Sequence, residues 1–413
     1  MNKSNDQWTV IDLFSGAGGM SYGFHAHPRF RLLGAVDAQI GKPSAGKGRL
    51  ECNSTYRANI GIDPLDMDLG KVAPEALREQ FSKVLGKAGL TVLISCAPCT
   101  GFSRTLSHNH LQDDPRNSLV GRSALFVREL QPTIFLMENA RELIQGNFSH
   151  HYDRLRRELE KLGYEVGGGN HFLTAFGLPQ RRERALVVAV KRGLPLRVIE
   201  DLWTGYRVRP RATHVRRAIS NLPPVDAGIA YPDDAMHVSP KFTPVGLRRL
   251  QLIPKDGGSW SDLRHHPEAE EVLTPAMKRY VAKKDFGSHP DVYGRLWWDK
   301  PAVTIKRECG HTGNGRYAHP EQDRLCTVRE MAILQGFPRD FQFVSGGLTN
   351  MYRHIGDAVP PLISYQLARL CEWILSGRKP ALTSLILKGT HLTRDDFERV
   401  ECQKTFEYAT LAD

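Results

Sequence analysis

The 413-residue chain predicts an α/β fold, with one open sheet whose strand ends form a ligand-binding rim and a second, smaller, loop-rich domain late in the chain. Three observations carry this. An apolar run at 8–14 breaks into Ser15-Gly-Ala-Gly-Gly-Met20, the strand, glycine-rich turn and helix of a nucleoside- or dinucleotide-binding unit. Further apolar runs at 31–37, 92–95 and 132–139 end in Asp37, in a Cys-Pro turn and in Glu138-Asn139. From about position 191 the composition shifts to Pro and Arg with interspersed aromatics and weak periodicity.

The first turn lacks G-x-G-x-x-G spacing, so it does not indicate a pyrophosphate site. Asp37 stands where such folds hydrogen-bond a ribose diol, with a solvated turn acid as the alternative. Residues 41–48 read as a flexible Gly-, Pro- and Lys-rich insertion without the phosphate-loop pattern. A third strand is expected to close at Asp66-Met-Asp68, followed by an amphipathic helix over 74–87 with Pro74 in its first turn and Gly89 beyond its end. The buried strand 92–95 then runs into Cys96-Ala-Pro-Cys99-Thr-Gly101, stiffened by Pro98 and loosened by Gly101. Such a turn places a thiol at the carboxyl edge of the sheet, where ligands gather. Taken alone, that thiol reads more simply as a buried small side chain.

Residues 105–117 are polar and unperiodic, a long loop over the rim. Its His108 and His110 read as solvated, and the Cys96-x-x-Cys99 pair has no second pair at zinc-finger spacing, so no metal is expected. A helix over 123–130 precedes the strand 132–139, which delivers Glu138 to the same rim as Cys99. A charged helix follows at 152–162. Residues 172–190 read as two strands joined through 177–184, where Arg181, Arg182 and Arg184 either bind an anion or mark a solvated strand edge.

The domain organisation read from these shifts is a sheet domain at 1–190, a smaller, basic, loop-rich domain at 191–290, a return to the first domain at 291–376 and an extension at 377–413. In the return, 327–338 reads as a helix capped by Thr327, and 356–361 as a tight turn into an apolar helix over 362–374. A formal charge of +11 points towards a polyanion, most economically nucleic acid. No apolar run reaches membrane-span length, the N-terminus is polar, and seven scattered cysteines argue for a reducing cytoplasm over a disulfide framework.

In this order, the motifs resemble the DNA (cytosine-5) methyltransferase family. Asp12-Leu-Phe-Ser-Gly-Ala-Gly-Gly19 looks like its S-adenosylmethionine loop, Pro98-Cys99 with Gly101-Phe-Ser103 like its nucleophile motif, and Glu138-Asn139 like its acid motif. Gln180-Arg-Arg-Glu-Arg184, 324–338 and 356–361 resemble its later motifs. Any one is weak, but six in the family's order are specific. The resemblance implies that the first domain is catalytic and cofactor-binding, a Rossmann-like S-adenosylmethionine-dependent methyltransferase domain, and that the smaller domain at 191–290 is a target-recognition domain. It places Phe14, Ser15, Gly16, Gly18, Gly19, Asp37, Asp68, Pro98, Leu119 and Asp357 around the cofactor, with the last motif folding back to complete that pocket. It assigns Ser103, Asn139 and Gln180 to substrate binding and Cys99, Glu138, Arg182 and Arg184 to catalysis. The departures are Asp37 where glutamate is usual, Thr100 for glutamine, Ala140 for valine, Asp357 for asparagine, and the 41–48 insertion.

The implied chemistry suits these residue types. C5 of cytosine is a poor nucleophile until a thiolate, here Cys99, adds at C6. A protonated Glu138 at N3 and the arginines at O2 would stabilise the charge that then develops. The base must leave the duplex stack for this. The expected partner is double-stranded DNA, with a cognate restriction endonuclease acting independently, no membrane, and a monomeric, cytoplasmic enzyme. Alternatives are RNA cytosine-5 methylation and a catalytically inactive DNA-binding protein. A nucleotide-dependent oxidoreductase fits the first two strands but leaves Pro98-Cys99 and Glu138 unexplained.

Overall fold

The computed structural model describes residues 7–40, 49–86, 89–98, 113, 115–283 and 291–401. Six strands form its central sheet: β1 (Trp8–Leu13), β2 (Phe30–Val36), β3 (Val92–Ser95), β4 (Ile134–Ala140), β5 (Tyr164–Phe172) and β6 (Glu183–Lys191), in the order β2-β1-β3-β4-β6-β5. The first four run parallel, and β6 is antiparallel to both neighbours. Strands β3 and β4 are buried along their whole length, which is why they appear in the sequence as unbroken apolar runs rather than alternating ones.

Because successive side chains point to opposite faces, each strand feeds two cores. Val10, Ile94, Leu136 and Val188 pack with helix α1 (Gly19–His25) and the helix Pro361–Ser376. Ile11, Leu93, Phe135 and Val187 pack on the other face with α3 (Pro74–Leu85), α4 (Ser118–Leu130) and α6 (His150–Lys161), α2 being Cys52–Ile60 and α5 Glu142–Gln145. The helix 361–376 closes onto α1 where two side chains are missing. A Cβ on Gly23 would meet Ser364 Oγ at 2.2 Å, and one on Gly19 would meet Val359 O at 2.2 Å. The end of the sequence thus folds back on its first motif.

Several expectations are corrected. No strand closes at Asp66–Asp68. Leu65 makes a single bridge to Val36, its N donating to Ala35 O at 2.8 Å, and the chain then turns, with Asp68 Oδ1 accepting from Gly70 N at 2.9 Å. The helix from Pro74 ends at Leu85 because Gly86 takes φ +52°, ahead of Gly89, and α4 begins at Ser118, ahead of 123. The two strands expected in 172–190 are β5 and β6, so the first lies earlier, and residues 173–176 form a 3₁₀ turn. The tight turn at 356–361 opens with the last two residues of a further helix, Leu348–Asp357.

The composition shift at 191 does not coincide with a change of core. Ile199, Leu202, Trp203 and Ala212 belong to the sheet's own core, where Trp203 Nε1 donates to Gln366 Oε1 at 3.0 Å. A short strand β7 (Tyr206–Val208) pairs with β10 (Phe397–Arg399), so the C-terminal extension packs against this segment. Two further cores follow, one joining Val215 and Ile219 to 296–358 and one built around Leu250, Trp260 and Met277. Their regular structure includes β8 (Gly294–Arg295) and β9 (Arg316–Ala318). Among the described residues, no helix is long and apolar enough to cross a membrane.

Candidate active site

At the carboxyl edge of β1 the backbone turns through three left-handed residues, Phe14 (φ +60°), Gly16 (φ +52°) and Gly18 (φ +91°). The tip of β2 holds that turn in place. Ser15 N donates to Val36 O at 3.1 Å and Gly16 N to Asp37 Oδ2 at 2.9 Å. Asp37 Oδ1 also accepts from Gln39 N at 2.6 Å and from Cys52 Sγ at 3.5 Å. Asp37 is therefore not a solvated turn acid, and burial raises its pKa despite these donors. Oδ2, with one donor, keeps further acceptor capacity.

Ser15 Oγ is buried with no hydrogen-bond partner among the described residues, an orphan at the mouth of the turn. Asp68 and Leu119 come together nearby, where a Cβ on Gly70 would lie 3.1 Å from Asp68 Oδ1 and 3.4 Å from Leu119 Cδ2. A glycine turn with an unsatisfied hydroxyl, an acid at the second strand tip and half-buried Phe14 and Leu119 fit a nucleoside carrying a diol. Asp357 is paired with Arg307 Nη1 at 2.5 Å, which offsets its charge.

Sequence reasoning did not single out Asp12 as a site residue. It lies fully buried beneath the turn, Oδ2 accepting from Ser21 Oγ at 2.6 Å, and that hydroxyl sits 2.7 Å from Tyr56 Oη. Burial pushes the Asp12 pKa up to about 7. A mid-strand acid followed by apolar residues was the only signal available.

The β3 and β4 edges carry the second half of the site. Cys99 and Ser103 lie outside the described residues. The turn that leads to them, Cys96-Ala-Pro98, is tied to the end of β4, where Asn139 Nδ2 donates to Ala97 O at 3.0 Å and Asn139 Oδ1 accepts from Ala140 N at 2.9 Å. Asn139 is 1% exposed, so it positions the turn rather than facing a substrate. Glu138 and Arg184 are diagonal neighbours on one face of the β4–β6 pair. Arg184 Nε lies 3.1 Å from Glu138 Oε1, within ion-pair reach but out of line for a hydrogen bond. Glu138 Oε1 is thus a buried acceptor with no hydrogen bond among the described residues.

Two expected site residues have other work. Gln180 is completely buried, its Nε2 donating to Gln335 Oε1 at 2.6 Å and its Oε1 accepting from Ile305 N at 2.9 Å. Arg182 is 2% exposed and donates to Ile305 O at 3.1 Å and Ala358 O at 3.3 Å. Both join the sheet to the returning segment, whereas Arg184, inside β6, lies beside Glu138.

The family model for C-5 cytosine-specific DNA methylases matches residues 8–373. The chain belongs to that family. It is 32% identical over 372 residues to the type II methylase M.HgiDII of Herpetosiphon aurantiacus, covering 89% of this chain and 96% of that one. It is 31% identical over 366 residues to the type II methyltransferase M1.HphI of Haemophilus parahaemolyticus, covering 87% and 85%. The solved Dnmt2 methyltransferase of S. pombe shares the fold at TM-score 0.54 and 19% identity, covering 89% of this chain and 99% of that one. The activity class of this cytosine-5 methyltransferase is therefore shown by its relatives, and its sheet is that of the S-adenosylmethionine-dependent methyltransferases.

Proposed function

We propose that this cytosine-5 methyltransferase moves a methyl group from S-adenosylmethionine to C5 of a cytosine flipped out of duplex DNA, within one short sequence context. The observation that carries the reading is Glu138 Oε1, a buried carboxylate oxygen beside Arg184 that no described group satisfies by a hydrogen bond. A nucleobase edge offers the missing partner.

The cofactor, when bound, supplies an electrophilic methyl group. Phe14, Ser15, Gly16, Gly18, Gly19, Asp37, Asp68, Pro98 and Leu119 would hold it, with Asp37 towards the ribose and the Ser15 hydroxyl satisfied by a polar group. The Cys99 thiolate adds to C6 of the base, forming the S–C6 bond and pushing electron density over the ring. Glu138, carrying a proton, donates it towards N3, and the Arg184 guanidinium holds charge near O2. Once C5 has taken the methyl group, loss of its proton to a base or water lets the Cys99 sulfur leave. Asn139 holds the turn from which Cys99 projects, and Arg182 and Gln180 keep the sheet and the returning segment in register. The 191–290 region supplies phosphate contacts and base-edge contacts. In this reading the enzyme works as a monomer and as the modifying member of a restriction system.

The test is transfer of radiolabelled methyl from S-adenosylmethionine to unmethylated duplex DNA, beside Cys99→Ser. Label at cytosine C5 in one short context, absent in the variant, is the expected result. Label on structured RNA but not on DNA overturns the choice of substrate. Cofactor binding with no label on either nucleic acid overturns the reaction.

A further inference from the structure

We infer that Asp113, His150 and His151 form a binding site for a divalent transition-metal ion of the zinc class. His151 Nε2 lies 2.8 Å from Asp113 Oδ2 and 3.0 Å from Oδ1, and His150 Nε2 lies 3.4 Å from the same Oδ2. The three ligating atoms all fall within 4.8 Å of one another, and the two imidazole rings stand 4.2 Å apart, tilted by 35°.

Hydrogen bonding accounts for half of this arrangement. One imidazole N–H directed at the carboxylate explains His151. It leaves His150 with its Nε2 turned to the same oxygen at a distance longer than a good hydrogen bond. Two imidazole nitrogens converging on one carboxylate oxygen are the donor set that zinc, cobalt and nickel prefer. With metal–ligand distances of about 2.0–2.2 Å, donors around a tetrahedral ion stand roughly 3.4 Å apart, so the observed spacing needs only small rotations.

A support for the carboxylate is already in place. Asn117, itself fully buried, donates from Nδ2 to Asp113 Oδ1 at 2.8 Å and so leaves Oδ2 towards the imidazoles. His150 and His151 are the first two residues of α6, held by a regular helix, and the remaining coordination position would take water. The three residues come from two separate stretches, so an ion here would tie the chain just before α4 to the start of α6. None of them belongs to the methyl-transfer site described above, and the inference stands or falls independently of that reading.

The experiment uses the full-length protein after chelator treatment, titrated with Zn²⁺ alone by calorimetry and with Co²⁺ alone by absorption. One Zn²⁺ per chain is expected, with affinity falling at least about tenfold in His150→Gln and in His151→Gln and binding lost in the double variant. Co²⁺ should give the visible bands of a nitrogen- and oxygen-ligated ion. Unchanged stoichiometry and affinity in the double variant would place any bound ion elsewhere and overturn the inference. A thiolate charge-transfer band with Co²⁺ would do the same by moving the ion to cysteine. Absence of saturable binding up to about 1 mM would reduce the cluster to a hydrogen-bonded clasp. The variants replace half-buried or exposed rings at a helix start, so matching circular dichroism of the metal-free proteins checks that each still folds.

Discussion

The sheet half and the half that follows it are held together by different means. Around β1, β3 and β4 the interior is apolar, and the buried acids of these strands, Asp12 and Glu138, sit at or beneath the rim. Beyond 215 the strands are two or three residues long, and buried arginines take over as connectors. Arg295, wholly buried, donates to the carbonyls of Leu250, Ile253, His319 and Gln322 and pairs with Asp323. Arg316 bonds Gly257, Gly258 and Arg295 carbonyls, and Arg324 makes a two-pronged pair with Glu330 at 2.7 and 2.8 Å. A planar five-donor head satisfies several loop carbonyls at once, which irregular backbone needs and a β-ladder does not. Buried Glu138 thus stands at the rim where the chemistry is proposed, whereas the buried arginines of the second half, and Arg182 in the first, mark architecture.

The largest expected effect breaks the first half's chemistry without touching its fold. Glu138→Gln should lower methyl transfer by about 10²–10⁴-fold, because the amide cannot deliver a proton to the base. Glu138 Oε1 makes no hydrogen bond to a described residue, so the melting temperature should move little. Initial rates with labelled cofactor, read beside a thermal melt, check both. A variant that keeps more than a tenth of the rate would remove Glu138 from the proton path.

The mirror experiment in the second half is Glu330→Gln. Burial and the Arg324 guanidinium oppose each other at Glu330, and the guanidinium wins, holding its pKa down to about 2. The variant leaves Arg324 charged, buried and unpaired, at an expected cost of about 3–5 kcal/mol in denaturant unfolding. The Thr327 capping box, in which Thr327 N donates to Glu330 Oε2 at 2.7 Å, is kept, because the glutamine oxygen can still accept. A loss below about 1 kcal/mol would show that the arginine network is not what holds this half.

This contrast also explains what the sequence let one read. β1, β3 and β4 were legible because strands covered on both faces must be continuously apolar, and the carboxyl ends of β2 and β4 placed Asp37 and Glu138 at one rim. β5 was shifted because Gly167-Gly-Gly169 erases the β-propensity of its middle. Part of the positive charge is locally paired: Arg207, Arg216 and Arg217 pair with Glu398, Asp299 and Asp396 respectively. A side chain's charge is visible in a sequence, whereas a partner 83 to 191 residues away is not. The bonds of Gln180 and Arg182 to carbonyls of the returning segment are equally invisible in the sequence.

A third prediction concerns the acid buried beneath the glycine turn. Asp12 has its folded-state pKa raised from 3.8 to about 7, so the fold favours its protonated form. That contribution is complete below pH 4 and is lost as the pH rises to 7. Asp12→Asn mimics the protonated acid, so its stability relative to the parent should climb across this window, by at most about 4 kcal/mol. Urea unfolding of both proteins at pH 4.5, 6 and 8 reads the difference directly. A flat difference would mean that Asp12 ionises in the fold as it does in the unfolded chain.

The smallest effect tests how a purely positional residue serves chemistry carried by its neighbours. Asn139 touches the Ala97 carbonyl and the amide of Ala140, and so holds the turn before Cys99 at a fixed height over β4. Asn139→Ala frees that carbonyl and lets the turn drift, while Glu138 keeps its own place on the strand. Displacing a nucleophile by about 1 Å costs on the order of 10²-fold in rate, so a 10- to 100-fold fall in kcat is expected, with the KM for cofactor nearly unchanged. Asn139→Asp, which keeps the size but loses the amide donor, should behave like alanine. Were the residue a substrate contact instead, the loss would appear in the KM for DNA and leave the rate at saturation intact.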